Sequence, residues 1–301
     1  MTAPAATSQF TTGRTAALIS LSLTAVIWGM TPVAIRFLVK DLAAADVLVL
    51  RFAICAIVFA TLLTVIRGWH VATADWPRFI FSALMGVTGY NLAVNFGYQT
   101  TPAGLGSLIL GTEPVMIALL AAAVLHEKLS RNVLIGMAIS LTGLVILMLM
   151  PLLSGASASG ASGPLLVWLA AFMWSLQVVI MKPLLLRYGT LRTSALVQLM
   201  GTPPILAFAS SQTLEVARAM TPMQWTALLL LALLATLLSS FTWNYGVKHV
   251  TAASAGAFIY CVPLIAVFAG IFFLGEHLTI PIVLGGLLIL AGVAMAQFVK
   301  G

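Results

Sequence analysis

Apolar segments of about 20 residues follow one another along almost the whole chain, and only short polar stretches separate them. A helix needs about 20 apolar residues to cross the hydrocarbon core of a bilayer. Of the 301 residues, 61% are hydrophobic and 7% are charged, whereas soluble domains carry about 25% charged residues. The sequence therefore excludes a water-soluble globule and predicts an all-α integral membrane protein.

Ten transmembrane helices are predicted from these segments. They cover residues 14–38, 42–66, 77–98, 102–125, 132–153, 164–186, 192–211, 222–246, 251–274 and 279–299. The Gly/Ser-rich stretch between the fifth and sixth helices has the composition of a flexible connector. The predicted organisation is a first five-helix unit at 14–153, an external connector at 154–163 and a second five-helix unit at 164–300, all within one domain.

The basic residues predict how these helices are oriented in the lipid bilayer. With the N-terminus inside, ten cations lie on the inner side and three on the outer side. The inner ten are Arg14, Arg67, Arg78, Lys128, Arg131, Lys182, Arg187, Arg192, Lys248 and Lys300, and the outer three are Arg36, Lys40 and Arg218. Because cytoplasmic loops carry an excess of Lys and Arg, we expect both termini in the cytoplasm and the protein in a bacterial inner membrane. The net charge of +7 then reflects orientation, and no nucleic-acid partner is expected.

The two halves of the chain are related in sequence. At a constant offset of 149 residues the identical pairs include Asn95/Asn244, Gly97/Gly246, Pro114/Pro263, Glu127/Glu276, Leu129/Leu278, Gly136/Gly285 and Gly143/Gly292. A second offset of 146 matches Trp28 to Trp174. Because each half has an odd number of helices, the second half enters the membrane in the opposite direction. The sequence thus predicts two inverted five-helix repeats, an architecture that exposes a central site alternately to each side of a membrane.

Several stretches resemble the EamA-type transporters of the drug/metabolite transporter superfamily. They are WGMTPVAIR in the first helix, LRF in the second, and the paired stretches EPVMIALLAAAVLHEKLS and VPLIAVFAGIFFLGEHLT. In that family a Pro in the fourth and ninth helices precedes an aliphatic run that ends in a G-E-x-L signature. Residues 275–278 fit the signature, while residues 126–129 lack the Gly. The resemblance implies a metabolite exporter, and the YddG-like exporters of aromatic and neutral amino acids are the most similar branch.

A substrate site is predicted near the middle of the membrane, where polar side chains are costly and concentrate along the bundle interior. It combines aromatic walls, neutral polar groups and one carboxyl, and its residues are Trp28, Tyr90, Asn91, Glu113, Trp174, Gln177, Ser239 and Tyr260. A small zwitterion such as an amino acid would fit this set, because rings stack on Trp or Tyr and an ammonium group is attracted to ring faces. Simple packing of the aromatic residues is the alternative.

Two ionisable residues inside the spans leave alternatives open. Glu113 would bind a substrate ammonium or carry a coupling proton, or it would bond, in protonated form, a carbonyl group freed by Pro114. Arg51 is the only cation in the middle of a predicted span. It would attract a substrate carboxylate, pair with Asp46 or extend along its helix toward the surface.

Glu127 and Glu276 end the fourth and ninth helices, on opposite faces of the membrane under the inverted repeat. We expect each to be a gating or capping residue that faces nearby cations rather than a substrate ligand. The four His residues lie at interfaces without the spacing of a metal site. No metal and no cofactor are therefore expected.

The function predicted is a secondary transporter that exports a small metabolite by alternating access through a central cavity. A passive facilitator or channel for another small metabolite or drug stays open as an alternative. An integral-membrane enzyme is a further class, but it would need clustered catalytic side chains at membrane depth, and the predicted spans contain none. The chain is accordingly not expected to be an enzyme.

Overall fold

The computed structural model describes residues 5–125, 131–153, 162–249, 258–259 and 261–298, and every regular element in these ranges is helical. In chain order the α-helices are α1 Ala5–Asp41, α2 Ala44–Val65, α3 Trp76–Ser82, α4 Tyr90–Gly97, α5 Ala103–Leu110, α6 Glu113–Leu125, α7 Arg131–Leu153, α8 Ser162–Tyr188, α9 Thr190–Leu206, α10 Ser211–Ala219, α11 Pro222–Leu229, α12 Ser239–His249, α13 Cys261–Leu274 and α14 Ile280–Phe298. A 3₁₀ turn, Thr73–Asp75, precedes α3. π-Helical stretches join α3 to α4 (Ala83–Gly89) and α11 to α12 (Leu230–Leu238).

Six helical segments of the described residues are long and apolar enough to cross a membrane. They are Thr15–Asp41, Ala44–Val65, Thr73–Gly97, Ala103–Val124, Ser162–Tyr188 and Pro222–Trp243, and shorter apolar helices run over Leu134–Ile146, Cys261–Leu274 and Ile280–Gly292. Helices suit this setting because all their backbone hydrogen bonds are satisfied within one segment. The chain is a multi-pass helical membrane protein, as the sequence predicts, while the count of ten spans stays a prediction.

The start of α8 differs from the predicted boundary. The helix begins at Ser162, two residues before the predicted second unit, and residues 154–161 of the predicted connector lie outside the described residues. Gly163 allows this extension, because a side chain there would collide with the hydroxyl groups of Thr100 and Thr101 at the end of α4. Pro164 is compatible with the first turn of a helix, where its missing N–H is not needed.

Helices of the two halves pack against each other throughout the bundle. The longest contact joins α7 to α14, and α1 packs against α12 and α13, α2 against α9, and α4 and α6 against α8. The α7–α14 crossing is close, since a Cβ atom added to Gly143 would lie 2.5 Å from the carbonyl oxygen of Gly285. A Cβ atom on Gly292 would likewise collide with the carbonyl oxygen of Gly136. Small residues at such crossings let two helices approach within membranes.

The junction between α8 and α9 is tied to the loop that precedes α3. Arg187 forms an ion pair with Asp75 at 2.7 Å, and the Tyr188 hydroxyl donates a hydrogen bond of 2.7 Å to the same carboxylate. Arg192 donates from Nε to the carbonyl oxygen of Gly68 at 2.8 Å. These contacts place two of the predicted inner cations, Arg187 and Arg192, at one end of the bundle, next to a loop from the first half.

Candidate functional site

A cavity of about 200 Å³ lies between the two halves of the chain. Seven of the eight residues that the sequence predicts for a site line it: Trp28, Tyr90, Asn91, Glu113, Trp174, Gln177 and Ser239. The eighth, Tyr260, lies outside the described residues. Further polar lining residues, outside the predicted set of eight, are Thr31, Arg51, Tyr98, Ser107, Gln198, Thr236 and Ser240. Helices α2 and α9 thus contribute to the wall in addition to the predicted first, third, fourth, sixth, eighth and ninth spans.

Residues in equivalent positions of the two halves line this cavity together. At the offset of 149 residues these pairs are Gly86/Ala235, Val87/Thr236, Tyr90/Ser239, Asn91/Ser240, Leu110/Ile259 and Glu113/Val262. At the offset of 146 residues, Trp28 and Trp174 form a further pair. Both halves therefore build the cavity from the same positions. Its chemistry is nevertheless asymmetric, because the only carboxyl in these pairs belongs to the first half.

The two π-helical stretches also occupy equivalent positions. Ala83–Gly89 corresponds to residues 232–238, which fall within the second stretch, Leu230–Leu238. Each stretch ends directly before residues that line the cavity, Tyr90 in one half and Ser239 in the other. π-Helical turns are rare and frequently occur at functional sites, and here they set the direction in which the lining side chains point.

A break in the fourth predicted span positions Glu113. Helix α5 ends at Leu110, and α6 begins at Glu113, directly before Pro114. The ring of a helical proline clashes with the carbonyl group four residues earlier and cannot donate a hydrogen bond, which explains the break after Leu110. No described residue donates or accepts a hydrogen bond with the Glu113 carboxyl. Its backbone carbonyl accepts one from Ser175 Oγ at 3.3 Å. The proposed bond from the carboxyl to a freed carbonyl group is therefore not present among the described residues.

The aromatic residues form a group around Trp28. The ring centroids of Trp28 and Trp174 are 6.5 Å apart in an edge-to-face arrangement, and those of Trp28 and Trp243 are 5.2 Å apart. Such ring pairs stabilise a structure beyond the area that they bury. Gln177, one turn after Trp174, lies directly over Gly86, where any Cβ atom would collide with its amide group. One wall of the cavity thus combines indole rings with a neutral amide.

Pairing with Asp46, one of the three roles that the sequence left open for Arg51, is not observed. Asp46 instead accepts a hydrogen bond of 2.6 Å from Thr213. Arg51 donates from Nε and NH2 to Thr236 Oγ1, at 3.2 and 2.7 Å, and from NH1 to Asn91 Oδ1 at 3.4 Å. The side chain therefore turns into the bundle and connects the first half to the second, rather than extending toward the surface.

Both halves of the sequence match the EamA-like transporter family, over residues 15–149 and again over residues 161–298. The chain belongs to this family. It contains two copies of the EamA domain, which confirms the resemblance inferred from the motifs.

Relatives of this EamA-family protein carry transport names. A probable terminal-alkyne amino-acid exporter from Streptantibioticus cattleyicolor is 27% identical over 277 residues, covering 92% of this chain and 91% of the relative. A probable amino-acid metabolite efflux pump from Salmonella typhimurium is also 27% identical, covering 92% of this chain and 93% of the relative. One solved crystal structure superposes with a TM-score of 0.59 at 19% identity, over 94% of this chain and 97% of the other, and shares the fold. The family and these names point to a transport role rather than catalysis.

Polar contacts connect α1 and the segment between α13 and α14 to residues 98–104. The Glu276 carboxylate accepts hydrogen bonds from the backbone N–H groups of Ala103 and Gly104, at 2.6 and 3.0 Å, where α5 begins. Glu276 is thus a capping residue, as one of its predicted roles states, but its partners are backbone groups rather than the expected cations. At the same end, Arg36 donates to the carbonyl oxygens of Tyr98, at 2.6 Å, and Gln99. Glu127, the equivalent of Glu276, lies outside the described residues.

A second cavity of about 290 Å³ lies toward the other end. Its wall includes Thr190, Leu191 and Ser194, in the first turns of α9, and Tyr245 near the end of α12. Ser240 lines both this cavity and the central one. The two cavities therefore meet at Ser240.

Proposed function

We propose that this EamA-family protein exports an amino acid with an aromatic or aliphatic side chain across a bacterial inner membrane. The observation that carries the proposal is the central cavity, which equivalent residues of the two halves line together. The names of the relatives from Streptantibioticus cattleyicolor and Salmonella typhimurium support an amino acid as the substrate class. Trp28 and Trp174 would contact its side chain, and Glu113 would bind its ammonium group.

The proposal includes an inverted relation between the halves. Contacts between α7 and α14 support it, because the pair Gly143–Gly285 becomes Gly292–Gly136 when each residue is replaced by its equivalent 149 positions away. Two halves related by a two-fold axis in the membrane plane would produce such an exchange. With ten spans, both termini and the predicted inner cations would lie in the cytoplasm.

Alternating access follows from the same relation. In the proposed orientation, Glu276 and Arg36 would close the outer end, and the second cavity beside Ser240 would lie at the inner end, as expected for an inward-facing state. Exchange of the two conformations would break the contact of Glu276 with the start of α5. The equivalent contact of Glu127 would then close the inner end.

Counterflow in proteoliposomes tests the function. Vesicles loaded with unlabelled phenylalanine, leucine or methionine should accumulate the corresponding labelled amino acid transiently, and uptake should saturate. A passive channel gives uptake that neither saturates nor increases with substrate on the opposite side. Absence of counterflow for every amino acid in a full panel would overturn the proposed substrate class.

Reporter fusions test the orientation. A reporter after Ser157, in the connector outside the described residues, should be active only outside the cytoplasm, and one after Lys300 only inside. A cytoplasmic Ser157 reporter would contradict the proposed topology without affecting the substrate class.

A further inference from the structure

We propose that Arg51 binds the carboxylate of the transported molecule, so that the cavity recognises both charged ends of a zwitterion. The inference rests on the proposed function, because it assumes that an amino acid occupies the central cavity. It adds a specificity rule: molecules without a free carboxylate should bind poorly, even when their side chain fits.

Arg51 is a buried cation without an acidic partner in the part of the chain that the structure describes. Its side chain lies in the middle of α2, is 6% exposed and lines the cavity. Arg51 donates hydrogen bonds to two oxygen atoms, Thr236 Oγ1 and Asn91 Oδ1, and both belong to uncharged side chains. A guanidinium group keeps its charge in proteins, and a buried charge is costly unless it is paired. A ligand carboxylate in the cavity would supply the missing countercharge.

The neutral partners hold the guanidinium in a fixed orientation. The Thr236 hydroxyl donates to the carbonyl oxygen of Leu231 at 3.0 Å, so its lone pairs face Arg51. The Asn91 amide nitrogen donates to the carbonyl oxygen of Val87 at 2.8 Å, which directs Oδ1 toward Arg51. Thr236 belongs to one π-helical stretch, and Asn91 lies two residues after the other. A pre-oriented guanidinium presents its N–H groups in the planar arrangement that matches a carboxylate.

Three hydrogen bonds do not use all five N–H donors of a guanidinium. The bond from NH1 to Asn91 is long, at 3.4 Å, and a carboxylate oxygen would be a stronger acceptor for that group. NH1 and NH2 therefore have donors available for a ligand that lies in the cavity.

The opposite charge of a zwitterion has its own partner in the same cavity. Glu113 lies on α6 and, within the described ranges, forms neither an ion pair with Arg51 nor any hydrogen bond through its carboxyl. The Tyr90 side chain lines the same cavity as Glu113 and Arg51. The Tyr98 hydroxyl, fully buried beside the cavity, also lacks a hydrogen-bond partner among the described residues. The cavity thus contains a separated cation and acid with polar groups still to satisfy, as a zwitterion requires.

Competition against counterflow of labelled amino acid tests the proposal on the unsubstituted protein first. The competitors are phenylalanine, leucine and methionine, each compared with its own amide, which keeps the ammonium group and side chain but lacks the carboxylate. We expect each amide to compete at least tenfold more weakly than the corresponding amino acid. Equal competition by acid and amide would overturn the role of Arg51 while leaving amino-acid export intact. Lack of any amino-acid counterflow would instead overturn the proposed function.

Variants then separate ligand binding from a structural role. In Arg51→Gln the ratio of acid to amide competition should fall toward one, because the amide loses nothing when the guanidinium is removed. Arg51→Lys, which keeps the charge without the planar group, should give an intermediate ratio. Arg78→Gln, which removes an exposed cation outside the cavity, is the matched control and should keep the full ratio. A purely structural Arg51 would lower transport of all substrates and leave the ratio unchanged, which would refute the proposal.

Discussion

The Ser140 hydroxyl on α7 donates a hydrogen bond of 3.1 Å to the backbone carbonyl of Ile289 on α14. Ile289 is the residue 149 positions later, so Ser140 contacts its own equivalent in the other copy of the EamA domain. A residue meets its equivalent only close to an axis that exchanges the two copies. The two reciprocal glycine contacts, Gly143–Gly285 and Gly292–Gly136, lie within two helical turns of this hydrogen bond on the same two helices. The α7–α14 seam is accordingly the place where the relation between the copies is easiest to test.

Gly143→Val should destabilise the protein by about 1–3 kcal/mol, the usual cost of forcing extra methyl groups into a packed contact. The added Cβ atom would lie 2.5 Å from the carbonyl oxygen of Gly285, so α7 and α14 would have to separate. Gly292→Val should have a similar effect, because it fills the equivalent contact. Thermal unfolding in detergent measures both. Ala138→Val, at an exposed position of α7, is the control, and an equal loss there would contradict the close crossing.

Trp28→Ala should weaken amino-acid counterflow more than Trp174→Ala. Among the described residues, the Trp28 ring contacts two indole rings, those of Trp174 and Trp243, whereas the Trp174 ring contacts one, that of Trp28. Each aromatic pair contributes about 0.5–1.5 kcal/mol. We expect KM to increase by about tenfold for Trp28→Ala, since 1.4 kcal/mol corresponds to a factor of ten. Trp69→Ala removes a half-exposed ring outside the cavity and should leave KM unchanged. Unchanged KM in well-folded Trp28→Ala and Trp174→Ala would show that these rings only pack.

Glu113→Gln should raise KM for amino acids by about 10- to 100-fold, because a hydrogen bond to a charged group contributes about 1.5–3 kcal/mol. Competition by 3-phenylpropionate, which lacks the ammonium group, should change little. Counterflow and pH-driven export are measured on the same proteoliposomes. Loss of pH-driven export with intact counterflow would contradict ammonium binding and assign the coupling proton to Glu113. No effect on either would refute both ammonium binding and proton coupling by Glu113.

Glu276→Ala should open the outer end of the cavity. The substitution removes both hydrogen bonds to the start of α5, and the loss of one such bond, about 1.5–3 kcal/mol, shifts a two-state equilibrium by at least about tenfold. A cysteine at buried Val94, in a background of Cys55→Ala and Cys261→Ala, reports the change through labelling by an impermeant maleimide added from outside. Asp41→Asn, another acidic change near the predicted outer side, should not increase labelling. Equal labelling in Glu276→Ala and the unsubstituted background would refute the gate.

The sequence was sufficient to locate much of the candidate site. Glu113, Asn91 and Gln177 are visible because polar side chains are rare within apolar spans, and Trp28 and Trp174 are visible as a repeated pair. Each of these residues lines the central cavity. Their depth could be estimated from the span boundaries, because helical geometry fixes the rise per residue.

Other features of the candidate site could not be predicted from the residues next to them in the sequence. Thr236 looks like any threonine in an apolar run, and only the fold brings it to Arg51, 185 residues away in sequence. The partners of Glu276 are backbone N–H groups, which every residue except proline possesses. The π-helical stretches contain the same apolar residues as the helices around them, so their geometry depends on packing between the halves. Sequence patterns therefore identified the side chains but not the contacts that orient them.

The matched π-helical stretches also carry information about the history of the fold. A π-helical turn accommodates one extra residue without increasing the distance that the helix covers along its axis. An insertion of this kind usually destabilises a helix. Two separate insertions at the same position would have required the same unfavourable event twice. A single insertion in an ancestral five-helix chain, before the gene duplicated, explains both stretches. Two copies of that ancestor would then already have enclosed a cavity with this feature on each side.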